Sequence, residues 1–299
     1  MQILYSLSAA IMAGHARAFV VPTVPARNIL LQQQQPARAA LSTVAASSIT
    51  RSPQMKIAIV TGGSKGLGAA IAKDLAGTGC SVIVNYASSA GPAEEVVEEI
   101  KGKGGKATAV QANVAKPEEV NSLFEAATEA FPDEQIEILV NNAGIIRDTP
   151  TLEMKLEEWQ QVIDINLSSV FYCSQAAWKV MHKQRKGRIV NISSMIALIG
   201  SADQANYAAA KAGMLGMTKV HAKEFAPEGV TVNAVCPGYI ESDMTAHHDQ
   251  EELNKMIPLG RLGKPEEIAA MVKYLATEEG ASYITGQHFT VDGGLATGT

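Results

Sequence analysis

The sequence lacks a disulfide framework, a metal-binding cysteine motif and a membrane-spanning run. Its 299 residues include only three cysteines, Cys80, Cys173 and Cys236, which lie far apart and form no Cys-x-x-Cys pair. Isolated cysteines in apolar segments predict reduced thiols in the core, and no metal site is expected. The chain has no apolar run of the roughly 18 residues that a transmembrane helix needs, so no membrane span is expected.

The first 54 residues contain no aspartate, glutamate or lysine, but they include four arginines and many alanines, serines and glutamines. This is the composition of an organelle transit peptide. The apolar stretch 3–13 is too short to cross a membrane and is followed by Ala16-Arg17-Ala18 and Phe19. We interpret residues 1–54 as a largely disordered targeting presequence that resembles the bipartite presequences of algae with secondary plastids. This predicts the plastid stroma, with a mitochondrial presequence or a simple disordered tail as alternatives.

The remaining residues carry little positive charge. The whole chain has a formal charge of −5, and because the leader holds four arginines and no acid, residues 55–299 carry −9. An acidic body argues against a nucleic-acid partner. The overall composition, 46% hydrophobic and 18% charged, is typical of a folded globular domain.

Short β-branched runs alternate with helical patterns from residue 56 onward, which predicts βαβ units. We expect an α/β fold, a single-domain, doubly wound, Rossmann-like parallel sheet of seven strands with helices on both faces, over 55–299. Predicted strands cover 57–60, 82–84, 108–114, 136–140, 188–192, 230–235 and 287–291. Predicted helices end at 76 or cover 93–101, 118–130, 156–184, 207–226 and 265–277.

A glycine-rich turn follows the first predicted strand and leads into a helix. Its sequence is Thr61-Gly62-Gly63-Ser64-Lys65-Gly66-Leu67-Gly68. Glycines allow the backbone to approach a pyrophosphate, and a helix N-terminus offers it free N–H groups. An ordinary strand-to-helix turn is the alternative.

The second predicted strand ends at Asn85 without the acid that NAD-binding sites usually carry there; the next acid is Glu94. Lys65 supplies a cation instead, and Ser88 and Asn85 supply polar groups for a ribose 2′-phosphate. The predicted cofactor is therefore NADP(H). Lys65 could alternatively be a solvated loop cation.

Two further loops are candidates for cofactor contact. Asn142-Ala143-Gly144 follows the fourth strand, where small residues leave room against the backbone. Asn113-Val114 follows the third strand and could hold the adenine edge.

Tyr207 and Lys211 lie four residues apart on a predicted helix, so they share one face. A nearby ammonium favours phenolate, so we expect Lys211 to lower the pKa of Tyr207 and make it a general acid. Ser194, at the end of the fifth strand, could polarise a substrate carbonyl; its neighbour Ser193 is the alternative. Asn166 is either a core amide bonded to the backbone or the holder of a water that links Lys211 to solvent.

Taken together, these motifs resemble the short-chain dehydrogenase/reductase family from about residue 56 to 294. The resemblance implies a catalytic tetrad of Asn166, Ser194, Tyr207 and Lys211. It implies that Lys211 also holds the nicotinamide ribose, and that Pro237, Gly238 and Ile240 line the nicotinamide.

Within that family, the segments 142–148, 204–213, 237–245 and 282–294 are similar to 3-oxoacyl-[acyl-carrier-protein] reductases. This similarity implies NADPH-dependent reduction of a 3-oxoacyl thioester to the (3R)-hydroxy form in fatty-acid synthesis, with acyl carrier protein as partner. It also implies a homotetramer formed through helices 156–184 and 207–226 and through the last strand. The chain departs from the reductase pattern at two places. The loop that contains His247 and His248 is short, and Glu228 stands where a basic residue is common.

Carrier docking has a candidate surface, a cluster of cations at the predicted end of the long helix. A local basic patch would attract the acidic carrier protein, although cations also lie at helix C-termini for dipole reasons. The cluster consists of Lys179, Lys183, Arg185, Lys186 and Arg188.

The alternatives to the carrier-protein reductase function are an acetoacetyl-CoA reductase, another short-chain carbonyl reductase, or a non-catalytic NADP-binding protein.

Overall fold

Short buried strands alternate with helices in the computed structural model, which describes residues 55–243, 245–246 and 249–298. Its strands are β1 (Lys56–Val60), β2 (Ser81–Tyr86), β3 (Lys106–Gln111), β4 (Gln135–Asn141), β5 (Gly187–Ile192), β6 (Val230–Pro237) and β7 (His288–Val291). Within the described ranges they form one seven-stranded sheet in the order β3-β2-β1-β4-β5-β6-β7, and all neighbouring strands are parallel.

Helices connect these strands. They are α1 (Gly66–Ala76), α2 (Ala90–Gly102), α3 (Pro117–Ala130), α4 (Leu156–Ile163), α5 (Ser169–Gln184), α6 (Ile196–Ile199), α7 (Ala205–Phe225), α8 (Gln250–Met256) and α9 (Pro265–Thr277). Short 3-10 turns occupy Ala226–Glu228 and Glu279–Ala281. No helix in the described part of the chain is both long and apolar enough to cross a membrane.

The sheet is covered on both faces because its strands are apolar on both sides. In β1, Ala58 and Val60 pack with α1, α2 and α9, whereas Ile57 and Ile59 pack with α3, α5 and α7. Strands buried on both faces read as continuous apolar runs, and this is the pattern of a doubly wound parallel sheet. The predicted fold class is therefore confirmed.

Some predicted boundaries were wrong. β3 ends at Gln111 and not at 114, because Asn113 turns the chain: its side-chain oxygen accepts a hydrogen bond from the N–H of Ala115. The predicted helix 156–184 is interrupted by a π-helical turn at Asp164–Ser168, which contains Asn166. Such turns are frequent at functional sites. The short helices α6 and α8 were not predicted.

The order of the strands places a binding crevice. The chain winds outward from β1 to β3 and then returns to add β4 on the other side of β1. Loops leaving β1 and β4 therefore diverge at the carboxyl edge of the sheet, the edge where strands end, and ligands bind in this kind of crevice. The glycine-rich turn follows β1, and Asn142-Ala143-Gly144 follows β4.

Candidate active site

The glycine-rich turn fits a dinucleotide cofactor. Gly62 and Gly66 have φ of 61° and 53°, the left-handed region that favours glycine. A side chain at Gly68 would lie 2.2 Å from the carbonyl oxygen of Gly62, whereas one at Gly66 would meet nothing within 4 Å. Helix α1 begins without a side-chain cap, so its first N–H groups are available to an anion in the open space beside Gly66. The turn therefore has the shape and the donors for a pyrophosphate.

Thr61 fastens the loop after β4 to this turn. Its hydroxyl oxygen accepts hydrogen bonds from the N–H groups of Asn142 and Ala143, at 2.9 and 3.0 Å. In return, the side-chain amide of Asn142 donates to the carbonyl oxygens of Thr61 and Gly62, at 2.9 and 3.1 Å. The two loops that flank the crevice are thus held as one unit.

Asn85 is buried, and its side chain braces the same turn from the second strand. Its oxygen accepts from the N–H of Gly62 at 3.3 Å, and its amide donates to the carbonyl of Ala112 at 3.0 Å and that of Val110 at 3.3 Å. These bonds engage the amide with protein groups. The predicted contact of Asn85 with a ribose 2′-phosphate stays a prediction.

Lys65 and Ser88 are exposed beside the crevice. The ammonium of Lys65 lies 3.6 Å from the carboxylate of Asp243, with side-chain exposures of 67% and 87%. An exposed pair at this distance is weak, so Lys65 can turn toward a phosphate at little cost.

The other predicted cofactor residues also lie near this edge. Val114 is buried in the core beneath α3, and Ile240 is buried against Gly263. Gly238 follows Pro237 at the end of β6, and a side chain on it would lie 2.6 Å from Cα of Asp292. Glycine is therefore required where these two loops touch.

Tyr207 and Lys211 lie on one face of α7, as predicted. The ammonium of Lys211 is 5.6 Å from the centre of the Tyr207 ring and donates to the carbonyl oxygen of Ile192 at 2.8 Å. The Tyr207 hydroxyl makes a side-chain hydrogen bond with Ser194. Three of the four predicted catalytic side chains are therefore grouped where β5 ends.

Burial dominates the acidity of both groups. It raises the pKa of Tyr207 to about 12, against the opposing effect of the Ser194 hydrogen bond, and the charge of Asp148 adds to the rise. It lowers the pKa of Lys211 to about 8. The predicted lowering of the pKa of Tyr207 is wrong for this structure, because the effect of burial outweighs that of the nearby lysine. Tyr207 consequently keeps its proton at neutral pH, as a proton donor must.

Ser193 and Ser194 have separate tasks. The Ser194 oxygen accepts from the N–H of Ile196 at 3.1 Å and faces Tyr207. Ser193 points to the other side of the chain and donates to the carbonyl oxygen of Lys211 at 2.9 Å. The structure therefore favours Ser194, and not Ser193, as the group that meets a substrate carbonyl.

Asn166 is fully buried in the π-helical turn, and its side chain bonds to the backbone. Its oxygen accepts from the N–H of Ile145 and its amide donates to the carbonyl of the same residue, both at 2.9 Å. A side chain at Gly144 would lie 3.5 Å from both the Asn166 oxygen and the Lys211 nitrogen. Glycine thus leaves a space between these two groups, and the predicted bridging water stays a prediction.

The basic cluster lies at the opposite edge of the sheet, where α5 ends and β5 begins. Arg185 pairs with Glu228, the acid that departs from the family pattern, and also bonds the carbonyl of Pro227. Lys186 pairs with Glu137 at 2.9 Å. The six residues of β5 separate this cluster from Ser194 by about 20 Å, at roughly 3.3 Å per residue.

Several residues that hold the site were not predicted. Thr61 joins the two loops, and the Ser193 hydroxyl and the carbonyl of Ile192 bond Lys211; Ser193 was considered only as the alternative to Ser194. Their signal in the sequence is weak, because hydroxyl residues near strand ends are common and a main-chain carbonyl carries no signature. The three cysteines are all buried, as predicted, and carry free thiols. The described residues contain no cluster of His, Cys, Asp or Glu that could hold a metal.

Fold and site together define a class of protein. A doubly wound sheet offers a phosphate-binding turn at its switch point, and a neutral phenol, a serine hydroxyl and a lysine meet beside it. This is the arrangement of a nucleotide-dependent oxidoreductase that transfers a proton to or from a carbonyl oxygen.

Comparisons with known proteins identify the family. A family model described as enoyl-(acyl carrier protein) reductase matches residues 62–296. The chain is 54% identical over 240 residues to a 3-oxoacyl-[acyl-carrier-protein] reductase of Synechocystis, covering 80% of this chain and 96% of the relative. It is 49% identical to the enzyme of that name from Staphylococcus aureus, covering 80% and 98%. The chain belongs to the short-chain dehydrogenase/reductase family.

A solved structure agrees with this assignment. A short-chain dehydrogenase/reductase double mutant from Serratia marcescens superposes with a TM-score of 0.77 at 38% identity. The match covers 82% of this chain and 99% of the other. The part of the chain outside these matches is largely residues 1–54, which lie outside the described residues, so the predicted presequence stays a prediction.

Proposed function

We propose that this protein reduces 3-oxoacyl-[acyl-carrier-protein] to (3R)-3-hydroxyacyl-[acyl-carrier-protein] with NADPH, in fatty-acid synthesis. The observation that carries the proposal is the 54% identity to a reductase of that name over 96% of the relative's length. The grouping of Tyr207, Ser194 and Lys211 supports it, since these side chains suit the chemistry of a ketone.

In the proposed mechanism, Ser194 and Tyr207 hydrogen-bond the keto oxygen of the substrate and polarise the carbonyl. Bound NADPH supplies the hydride that reduces the keto carbon. Tyr207 gives its proton to the oxygen, and this transfer is downhill even with a pKa of about 12, because alcohols are weaker acids than phenols. Lys211, held by the carbonyl of Ile192, stabilises the phenolate that remains.

NADPH is proposed over NADH because of the charges beside the crevice. The loop after β2 has no carboxylate before Glu94; Ser88 in that loop and Lys65 in the turn after β1 are both exposed. A 2′-phosphate would draw Lys65 away from Asp243, since a phosphate carries more charge than the single, distant carboxylate.

A homotetramer is proposed from the family resemblance and from exposed apolar side chains. Phe171 on α5 and Val220 on α7 are 44% and 52% exposed, and Tyr283, just before β7, is fully exposed. Apolar groups on helices of one face favour pairing with a second copy.

Such pairing would give the basic cluster a role in carrier docking. Two copies related by an axis perpendicular to α5 place their α5 helices antiparallel, which brings one copy's cluster toward its partner's carboxyl edge. Because Glu228 neutralises Arg185, docking is proposed to rely on Lys179, Lys183 and Arg188.

A plastid location is proposed from the leader's composition. The Synechocystis relative supports it, because plastids descend from cyanobacteria. Expression of the full chain with a fluorescent C-terminal fusion in an alga tests the location, with removal of residues 1–54 as the control.

One assay separates the proposed activity from its alternatives. NADPH oxidation is measured with acetoacetyl groups on acyl carrier protein and on coenzyme A, with crotonyl-carrier protein, and with a ketone panel. The proposal expects the highest kcat/KM for the acetoacetyl-carrier substrate. Preference for coenzyme A would assign an acetoacetyl-CoA reductase, and turnover of crotonyl groups alone an enoyl reductase. NADPH binding without turnover of any substrate would indicate a non-catalytic role.

A further inference from the structure

Ser193 is buried behind the catalytic side chains and does not face the crevice. It is 3% exposed, and its hydroxyl donates to the main-chain carbonyl of Lys211 at 2.9 Å. The bond joins the end of β5 to α7 at the catalytic lysine itself. The Lys211 ammonium reaches back to the carbonyl of Ile192, the residue before Ser193, so the lysine is bonded to the same stretch of chain at both ends.

A thiol completes this arrangement. Cys236 on β6 is fully buried, which raises the pKa of its thiol to about 11, and the adjacent Ser193 side chain and Ser194 main chain partly oppose that rise. The main chain on either side of it is anchored too, because Ser193 N–H donates to Val235 and Met195 N–H donates to Pro237, at 2.8 and 2.9 Å. The segment that carries Ser194 is therefore hydrogen-bonded to β6 on both sides of that residue, at Ser193 and at Met195.

These contacts have a consequence for geometry. Ser194 must keep its oxygen within hydrogen-bond distance of Tyr207, which lies one helical turn from Lys211 on α7. The Ser193 bond and the bond from the Lys211 ammonium to the Ile192 carbonyl tie the Ser194 segment to that turn of α7. Catalysis is sensitive to shifts of about 1 Å in such groups.

We propose that Ser193, with the Cys236 thiol packed against it, is a positioning residue that sets the distance between Ser194 and the Tyr207–Lys211 pair. It touches neither substrate nor cofactor. The inference rests on the proposed carbonyl reductase function.

The test compares Ser193→Ala, Cys236→Ala and the double variant with the wild-type enzyme. We expect Ser193→Ala to lower kcat about tenfold while the Kd of NADPH stays within about twofold, because the lost bond misplaces the catalytic groups and leaves the cofactor turn intact. Since the two side chains act as one unit, the double variant should lose less than the product of the single losses. Cys236→Ser keeps a hydrogen-bonding group and should retain most activity.

A pH profile gives a readout that general destabilisation would not move. The Lys211 ammonium bonds the carbonyl of Ile192, the residue before Ser193, so a shift of this segment changes the surroundings of the ammonium and with them its pKa, which burial lowers to about 8. The alkaline limb of kcat/KM is therefore expected at a different pH in Ser193→Ala than in the wild type.

The matched control is Thr218→Val. Thr218 also lies on α7 and is 1% exposed; its hydroxyl donates to the main-chain carbonyl of Met214 at 2.8 Å and accepts from the amide of Asn191 on β5 at 2.9 Å, so it too links α7 to β5, but away from Lys211. Its loss should lower the unfolding temperature without changing kcat or the pH profile. Wild-type kcat in Ser193→Ala, or equal losses in both variants, would overturn the inference.

The proposed substrate is tested separately. The kcat of each variant is compared with that of the wild type, using whichever carbonyl compound the wild type reduces fastest. Failure to reduce only the acetoacetyl-carrier protein would therefore count against the proposed function and would leave the positioning test valid.

Discussion

At the carboxyl edge of the sheet, neutral amides and hydroxyls hold the loops beside the crevice and the ion pair Lys65–Asp243 is exposed on both sides, whereas at the amino edge cations pair with buried carboxylates. Asn142, Asn166 and Ser193 bond main-chain groups at 2.9 to 3.1 Å beside the crevice. At the other edge, Lys186 pairs with Glu137 and Lys106 pairs with Glu134. Two ends of the same seven strands are thus stabilised by different chemistry.

The difference follows from what each edge must do. A site that binds a charged cofactor needs loops held firmly without competing charges, and neutral hydrogen bonds provide this. Among the described residues, Lys211 is the one buried lysine or arginine, and it lies at the carboxyl edge. Its charge can consequently act on the neighbouring Tyr207. At the amino edge the lysines are exposed although their carboxylate partners are buried, so water screens these pairs and each is expected to contribute on the order of 1 kcal/mol or less.

The largest expected effect is at Tyr207. We expect Tyr207→Phe to lower kcat by about 10³-fold, within the range seen when general acid catalysis is lost, because the neighbouring Ser194 hydroxyl is a weaker acid than the phenol. NADPH binding, followed by fluorescence, should persist, because the phenol hydroxyl does not form the pyrophosphate turn. A variant that keeps a tenth of the activity would show that the proton comes from elsewhere.

The cofactor turn provides the second prediction. In Gly68→Ala, the new methyl group would lie 2.2 Å from the Gly62 carbonyl oxygen, so the turn must move. We expect the Kd of NADPH to rise by about 100-fold, a loss of about 2.7 kcal/mol of binding free energy.

Gly91→Ala is the matched control, because its methyl group in α2 would meet nothing within 4 Å. It should bind NADPH normally and melt at the same or a higher temperature, since alanine favours helix over glycine. Equal affinities in the two variants would mean that the turn after β1 does not form the cofactor site.

The sequence predicted features within single strands, helices and turns better than it predicted contacts between distant parts of the chain. Strand positions followed from β-branched runs, and the crevice followed from the glycine-rich turn after β1 and the small residues after β4. Tyr207 and Lys211 could be paired because helical spacing alone puts them on one face. Local rules were sufficient wherever the relevant partners lie within one element.

Tertiary contacts were beyond those rules. The π-helical turn at Asn166 depends on a bond to Ile145, which is 21 residues away in the chain. The acidity of Tyr207 was predicted in the wrong direction, because spacing shows a neighbouring lysine but not the burial that outweighs it. Likewise, the pairing of Arg185 with Glu228 could not be read from positions 43 residues apart.

The third prediction is a pH dependence at the carboxyl edge. Because burial lowers the pKa of Lys211 to about 8, its charge is lost at a lower pH than that of an ordinary lysine. We expect kcat/KM for ketone reduction to fall as pH rises through about 8, since this ratio reports the free enzyme. In Lys211→Arg the side chain stays charged, so the residual kcat/KM of this variant should not fall over the same pH range. An unchanged wild-type rate up to pH 10 would place the lysine's pKa near its ordinary value.

The same shift affects stability with a definite sign. Between about pH 8 and 10.5 the unfolded chain binds more protons at Lys211 than the folded chain, so this residue makes stability rise with pH over that window. Urea unfolding of wild type and Lys211→Met at pH 7.5 and 9.5 measures it. The unfolding free energy of the wild type should rise relative to that of the variant between pH 7.5 and pH 9.5.

The smallest expected effect is at the amino edge, in Lys186→Met. The Lys186 side chain is 65% exposed and that of Glu137 only 6%, so the substitution leaves a buried carboxylate without its nearest cation. Arg188 also lies within electrostatic reach of Glu137 and limits the loss. We therefore expect unfolding free energy to fall by about 1 kcal/mol or less, with kcat and NADPH affinity unchanged.

Asn142→Ala is the comparison: it leaves the carbonyls of Thr61 and Gly62 without their donor, which costs about 1–3 kcal/mol, and should also weaken NADPH binding. If Lys186→Met instead lowered kcat, the two edges would be coupled through β5, and the division of labour between neutral and charged contacts would be wrong.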